Sequence, residues 1–298
     1  AFKVKETKKE FLKGTSIVIW TTTPWTIPAN KALAFNTNIE YSVLEIEDLE
    51  YFKEKKIVVA KNLIKTITEE CEIKNFKEIK NFKGSELVGT ICNHPFLNIG
   101  FNYDVPMLDG QFVNLDQGTG FVHCAPSHGV DDFNLCLKNN IPSLYTVDNA
   151  GLYTKVIPHF TGTHIFKADP VVIEKLKEQK KLLKNNKLVH SYPHSWRSKA
   201  ALIYRATPQW FISMQKNKLR DKAVKAINET TFYPSKGKDR LLSMVEGRPD
   251  WCVSRQRVWG VPLPIFINKK TKEPLRDQKV IDRIASIYEK QGSDCWFT

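Results

Sequence analysis

Arginine is missing from the first two-thirds of this 298-residue chain, since all nine arginines fall between Arg197 and Arg283. Forked, planar recognition of phosphate or carboxylate is therefore confined to the last third, and lysine alone supplies positive charge before it. None of the six cysteines, at positions 71, 92, 124, 136, 252 and 295, forms a CxxC pair. That argues against a four-cysteine zinc site and a thioredoxin-like motif, and reduced, mostly buried thiols are expected instead. No apolar run approaches the roughly 18 residues that cross a bilayer, and the lysine-rich start lacks the apolar stretch of a signal peptide. A soluble intracellular protein without a membrane partner is expected, in the cytoplasm or an organelle. Internal repeats and low-complexity linkers are also absent. The start at Ala1 and the stop at Thr298, beside Trp296 and Phe297, lead us to expect a piece of something longer.

What is present is packing material. An apolar fraction of 42%, with seventeen Phe and seven Trp, sets the chain apart from disordered sequences. Its length suits one large domain or two ordinary ones. The net charge of +13 favours a polyanionic partner through phosphate contacts and counterion release, with lysine-rich background composition as the alternative reading.

Short runs of β-branched and aromatic residues predict strands over 15–20 (TSIVIW), 41–46 (YSVLEI) and 56–60 (KIVVA). A helix is predicted over 61–71. Further strands are expected around 87–92 and 120–123, the second entered through the flexible GTG at 118–120. Asp131 and Asp132 open a helix through Leu137. Asp169 and Pro170 start another, placing Val172, Leu176 and Leu183 on one face. The fold class is α+β, strand-rich in its first half. Composition shifts at 190–215 and 245–264 place joints near 190 and 238, giving segments 1–190, 191–237 and 238–298.

Two segments could carry chemistry. In WTTTPWTIPAN (20–30), a strand ends where Thr21, Thr22 and Thr23 meet a proline, concentrating hydroxyls that can bind a water or a ribose hydroxyl without charge. The plainer reading is a Thr-rich strand end followed by a turn, and Asn30 reads as turn residue or ligand alike. In DQGTGFVHCAPSHGVDDF (116–133), a Gly-flanked strand delivers His123, and Asp131 and Asp132 open a helix where a carboxylate can meet a cation such as an α-ammonium group. The plainer reading is an Asp pair serving only as a cap. His123, Cys124, His128 and the two aspartates invite a zinc reading. Ligands drawn from one short stretch, without the helical pair of HExxH, speak against it, and no metal is expected. A Cys124/His123 nucleophile pair ranks lower still, because adjacent strand residues face opposite ways.

These two segments, together with YPHSWRSKAALIYRATPQWF (192–211) and GRPDWCVSRQRVWGVPLP (247–264), resemble the isoleucyl-tRNA synthetases. The resemblance is to their editing insertion and the return of the chain into the catalytic domain, and it covers most of the chain in order. Leucyl and valyl synthetases typically carry Arg at the place of Thr23 and lack a His at that of His123. Two residues depart from the family pattern: Cys124, usually Thr, and Ser127, often Gly.

The resemblance implies a strand-rich, barrel-like editing domain with peripheral helices, then a partial α/β, Rossmann-type catalytic segment. It implies hydrolysis of tRNA(Ile) mischarged with valine, and of valyl-adenylate where editing precedes transfer. Thr22, Thr23, His123 and Asp132 would be the catalytic set, with Thr21, Asn30 and Asp131 binding substrate. Asp132 would hold the α-ammonium, His123 would exclude isoleucine, and Thr22 and Thr23 would hold the terminal adenosine and the attacking water. No strong general base is evident beyond the histidines, so a water activated by the substrate's own ribose hydroxyl is expected, with no cofactor. Glu246, Gly247, Asp250 and Gln256 match part of an aminoacyl-adenylate site, but the HIGH-like and KMSKS-like signatures that handle ATP in the intact enzyme are absent. No aminoacylation is therefore expected. The expected partners are valine-charged tRNA(Ile) and the remainder of the synthetase, around a monomer. A non-catalytic tRNA-binding module is the alternative, with a zinc hydrolase third.

Overall fold

The computed structural model describes residues 1–297 apart from Asp48, Glu50, Tyr51, His190, Arg257, Val258 and Trp259. The joint expected at 190 and the middle of the 247–264 segment thus lie outside the described residues. The chain divides into two compact units, Ala1–Thr207 and Pro208–Thr298.

Apolar runs build the sheet of the first unit. Its strands are β1 (Phe2–Glu6), β2 (Ser16–Ile17), β3 (Ala32–Phe35), β4 (Glu40–Ile46), β5 (Lys56–Ala60), β6 (Phe76–Lys83), β7 (Ile91–Asn93), β8 (Asp104–Asp109) and β9 (Val122–Cys124). They pair in the order β6-β4-β5-β2-β1-β7-β8-β3-β9. The β2–β5 and β3–β8 pairs are parallel, and the others antiparallel. β4 and β5 lie in the expected places because their side chains are buried almost without interruption, Val43 facing Val58 and Leu44 facing Ile57. Each such aliphatic side chain contributes about 1.5–3 kcal/mol on burial.

Among the described residues the first unit also carries three α-helices: α1 (Ile64–Glu70), α2 (Val130–Lys138) and α3 (Ala168–Glu178). α3 buries Val172 and Leu176 against Trp25, Phe96 and Phe160. α2 buries Leu135 and Cys136 against Ala32, Ala34 and Cys124. All six cysteines are free thiols, three buried and three half-buried.

Three local expectations need correction. The strand predicted over 15–20 pairs only at Ser16–Ile17; Val18 still donates to Val58 O at 3.4 Å before the chain leaves the sheet at the threonines. The helix predicted over 61–71 opens as a 3-10 turn, Lys61–Leu63. Leu183 lies beyond the end of α3 and packs on the main core, so it shares no helix face with Val172. The GTG has a steric reason: at Gly120 (φ +78°) a Cβ would stand 2.4 Å from Ala60 Cβ.

The second unit pairs β10 (Phe211–Ile212) with β11 (Trp251–Cys252) and carries α4 (Leu219–Glu229), α5 (Lys236–Glu246) and α6 (Gln278–Gln291). Asp277 caps α6, its carboxylate accepting from Lys279 N at 2.9 Å. Among the described residues only Met214 and Ile227 are buried apolar side chains here.

Candidate active site

The threonine segment is shaped by the proline that ends it. Pro24 begins a 3-10 turn over Pro24–Ala29, where its fixed φ is already suitable and its missing N–H costs nothing. Upstream, Thr23 N donates to Thr21 Oγ1 at 3.1 Å, and the two hydroxyl oxygens lie 3.3 Å apart. Thr22 is exposed beside them.

β9 brings the second segment alongside. Its antiparallel register with β3 sets His123 opposite Leu33. Strand alternation sends Cys124 into the core under α2, while His123 faces a cavity. After β9 the chain turns through Gly129 into α2, and Asp132 folds back so that its Oδ2 accepts the Ala125 N–H at 2.9 Å. Gly129 leaves room for this: a Cβ there would lie 2.7 Å from Asp132 Oδ2.

Thr21, Thr22, Thr23, Thr26, His123 and Asp132 thus share the wall of one cavity of about 340 Å³, completed by Phe112, Phe121, Val122 and His128. Asp132 is its one carboxylate. Burial pushes the Asp132 carboxyl up to about 6, against the lowering effect of the Ala125 hydrogen bond, and the charge of Asp131 adds to the rise. A desolvated carboxylate of this kind is stabilised by an incoming cation.

The histidines are locked neutral. Thr26 Oγ1 donates to Thr23 O at 2.9 Å, so it must accept from His123 Nε2, also at 2.9 Å. His123 Nδ1 is then the acceptor facing Asn30 Nδ2 at 3.5 Å. His128 has the opposite tautomer: its Nδ1 donates to Tyr204 O at 2.9 Å and its Nε2 accepts from Thr146 at 2.9 Å. Burial drives both rings down to about 4, with His128 contributing to the shift at His123 and Arg205 to that at His128. Neither ring has a nitrogen left to take a proton from a substrate water.

Asn30 is fully buried behind His123, where its amide also donates to Ala32 O at 2.8 Å; it supports the wall without lining it. Asp131 lies one residue, and so about 100° of helix rotation, from Asp132. It is exposed and outside the cavity wall. In the second unit Glu246 lines a cleft with Arg220 and Lys225, Gly247 ends α5, and Asp250 Oδ1 accepts from Met214 N at 2.9 Å. Gln256 lies in a bend outside that cleft.

Sequence reasoning missed Thr26 and assigned His128 no role in the site. Thr26 had a signal, since it stands three residues after Thr23 across a Pro-started turn. For His128, whose partners Thr146 and Tyr204 are remote in sequence, there was none.

The family model of class I tRNA synthetases (I, L, M and V) matches residues 23–298. The isoleucine--tRNA ligase of Pelagibacter ubique is 64% identical over the whole chain, which covers 33% of that protein. That of Gluconobacter oxydans is 45% identical over 96% of the chain and 32% of its own length. The chain therefore spans about a third of the length of the curated relatives it matches. Among solved structures, the editing domain of the P. falciparum cytosolic leucyl-tRNA synthetase is 13% identical, with a TM-score of 0.35 over 81% of this chain and 80% of its own.

Proposed function

The chain belongs to the class I tRNA synthetase family (I, L, M and V), and we propose that within it the unit Ala1–Thr207 is the hydrolytic proofreading part of an isoleucyl-tRNA synthetase, releasing valine from Val-tRNA(Ile). The observation that carries this reading is the half-buried, desolvated Asp132 carboxylate lining one small cavity together with three consecutive threonines.

Asp132 would hold the α-ammonium of the esterified amino acid. Thr22 and Thr23 would hold the terminal ribose and a water, with Thr21 fixing Thr23. The water adds to the ester carbonyl, and the tetrahedral adduct collapses by breaking the bond to the ribose oxygen. Valine and a free 3′ end leave. The proton of the water passes to the ribose through its neighbouring hydroxyl, since both nearby histidines have their nitrogens occupied. No cofactor is needed. ATP belongs to amino-acid activation by the longer synthetase, which with tRNA(Ile) is the partner.

His123 would set the size limit. One methylene discriminates by only about 1–3 kcal/mol in an apolar pocket, a magnitude for which isoleucyl-tRNA synthetase is itself the standard example. A second sieve is therefore required.

The test is deacylation of Val-tRNA(Ile) and Ile-tRNA(Ile) by the chain in excess over substrate. Selective release of valine is expected, with Asp132→Ala slowing it by about 100-fold or more, as for a lost substrate-orienting contact. Undiminished release by that variant sinks the assignment. A non-catalytic tRNA-binding module is the second reading, favoured by the exposed Trp196 with Arg197 5.0 Å over its ring. It predicts salt-sensitive retention of uncharged tRNA and no hydrolysis.

A further inference from the structure

The threonine turn has an uncapped end. Helical turns open with backbone N–H groups that find no partner within the turn. Thr23, the capping residue of Pro24–Ala29, makes no side-chain cap. The N–H of Trp25 is satisfied instead by Asp169 Oδ1 at 2.8 Å, from 144 residues further along the chain. Its carbonyl accepts the hydroxyl of Tyr153, which is buried in the same apolar cluster. The indole sits edge-on to His128, ring centres 4.7 Å apart. Trp25 is thus held at its N–H, its C=O and its ring.

Thr23 stands two residues upstream of that anchor. Its carbonyl receives both the N–H of Thr26 at 3.0 Å and the Thr26 hydroxyl at 2.9 Å, and its own N–H is held by Thr21. Thr21 and Thr23 are thus tied to each other and to the turn that Trp25 anchors, and Thr22 is carried between them by the backbone. Asp169 is placed for this at the start of α3, ahead of Pro170. Among the described residues it has no basic partner, and it does not line the cavity that holds Asp132.

We propose that Asp169 and Tyr153 are positioning residues for the hydrolytic reaction: by holding the two backbone polar groups of Trp25 they set where Thr21, Thr22 and Thr23 stand in the cavity. The inference rests on the proofreading function proposed above. It assigns the work of aiming the hydroxyls to residues remote in sequence from both site segments.

Single-turnover release of valine from Val-tRNA(Ile), followed at varied chain concentration, separates the maximal rate from the half-saturating concentration. Misplacing reacting groups by about 1 Å can cost on the order of 100-fold, so Asp169→Ala should lower the maximal rate at least about tenfold and move half-saturation less than about twofold. Asp169→Asn keeps an oxygen for the Trp25 N–H and should stay within about threefold of the parent, which a role resting on charge would not allow. Tyr153→Phe removes only the hydroxyl and should slow release at least about threefold, so it keeps the test open if Asp169→Ala fails to fold. Val43→Ala, in the sheet core away from the turn, controls for stability alone: it should melt earlier yet release valine at the parental rate. Parental rates in both Asp169→Ala and Tyr153→Phe overturn the proposal, as does an Asp169→Asn variant as slow as Asp169→Ala. Should the unsubstituted chain release no valine, the proofreading reading itself fails. Should Asp132→Ala be slow while Asp169→Ala and Tyr153→Phe are not, only the positioning role falls.

Discussion

The two units spend their apolar residues differently. Residues 1–207 bury three apolar clusters, and Tyr41, Val43, Leu44 and Val58 in the sheet are wholly inaccessible. Residues 208–298 carry three amphipathic helices that bury only Ile227 among their described residues, while Leu241, Met244 and Ile281 remain exposed. The titratable groups divide as sharply: every histidine lies before residue 208, and seven of the nine arginines after it. A cavity whose carboxylate and imidazoles are shifted by desolvation needs dry, densely packed surroundings. It is found in the unit that builds its own core.

Core truncation is the strongest way to break that contrast. Leu44→Ala should cost about 2–5 kcal/mol in urea unfolding, as buried leucines generally do. Ile281→Ala, on the exposed face of α6, should cost less than about 0.5 kcal/mol. Equal losses would show that both units rely on comparable cores.

Acid should separate the units next. Burial lowers His94 to about 3 and both His123 and His128 to about 4. The unfolded chain binds these protons first, near the ordinary histidine value of about 6.5. The histidine contribution to the first unit's stability is therefore complete above that value and drains as pH falls from about 6.5 toward 3. Hydrogen exchange, corrected for intrinsic rates, should show protection lost in residues 1–207 over this window. An earlier loss confined to 208–298, which has no histidine, would contradict the assignment.

The smallest effect concerns Asp132. Its folded carboxyl is raised to about 6, so its ionisation opposes folding above that pH, and the penalty fades as pH falls toward the ordinary carboxylate range. Asp132→Asn keeps an acceptor for the Ala125 N–H and removes the charge. It should melt a few degrees above the parent at pH 8, at about 2–4 °C per kcal/mol for a unit of this size, with the gap closing by about pH 4. A variant that melts lower at pH 8 would show that the carboxylate stabilises its surroundings.

Legibility in the sequence follows the range of the forces involved. β4 and β5 were readable because doubly buried strands are continuous apolar runs. β6 was not, since FKEIKNFK is a lysine-rich edge strand exposed except near Phe82. Thr22, Thr23, His123 and Asp132 were readable as a set only through resemblance to isoleucyl-tRNA synthetases, because each segment alone fitted a strand end or a helix cap equally well. Asp131 and Asp132 looked alike as letters, and helix rotation alone separates them. The clamp on Trp25 was illegible, because partners 128 and 144 residues away leave no local pattern.

With both nitrogens of His123 engaged, only ring carbon would remain to meet a substrate side chain in the proposed reaction. Such a wall gauges bulk and is blind to polarity. An amino acid shaped like valine but bearing a hydroxyl would find there neither a donor to reward it nor a bare dipole to repel it. On this surface, shape would be the only thing inspected.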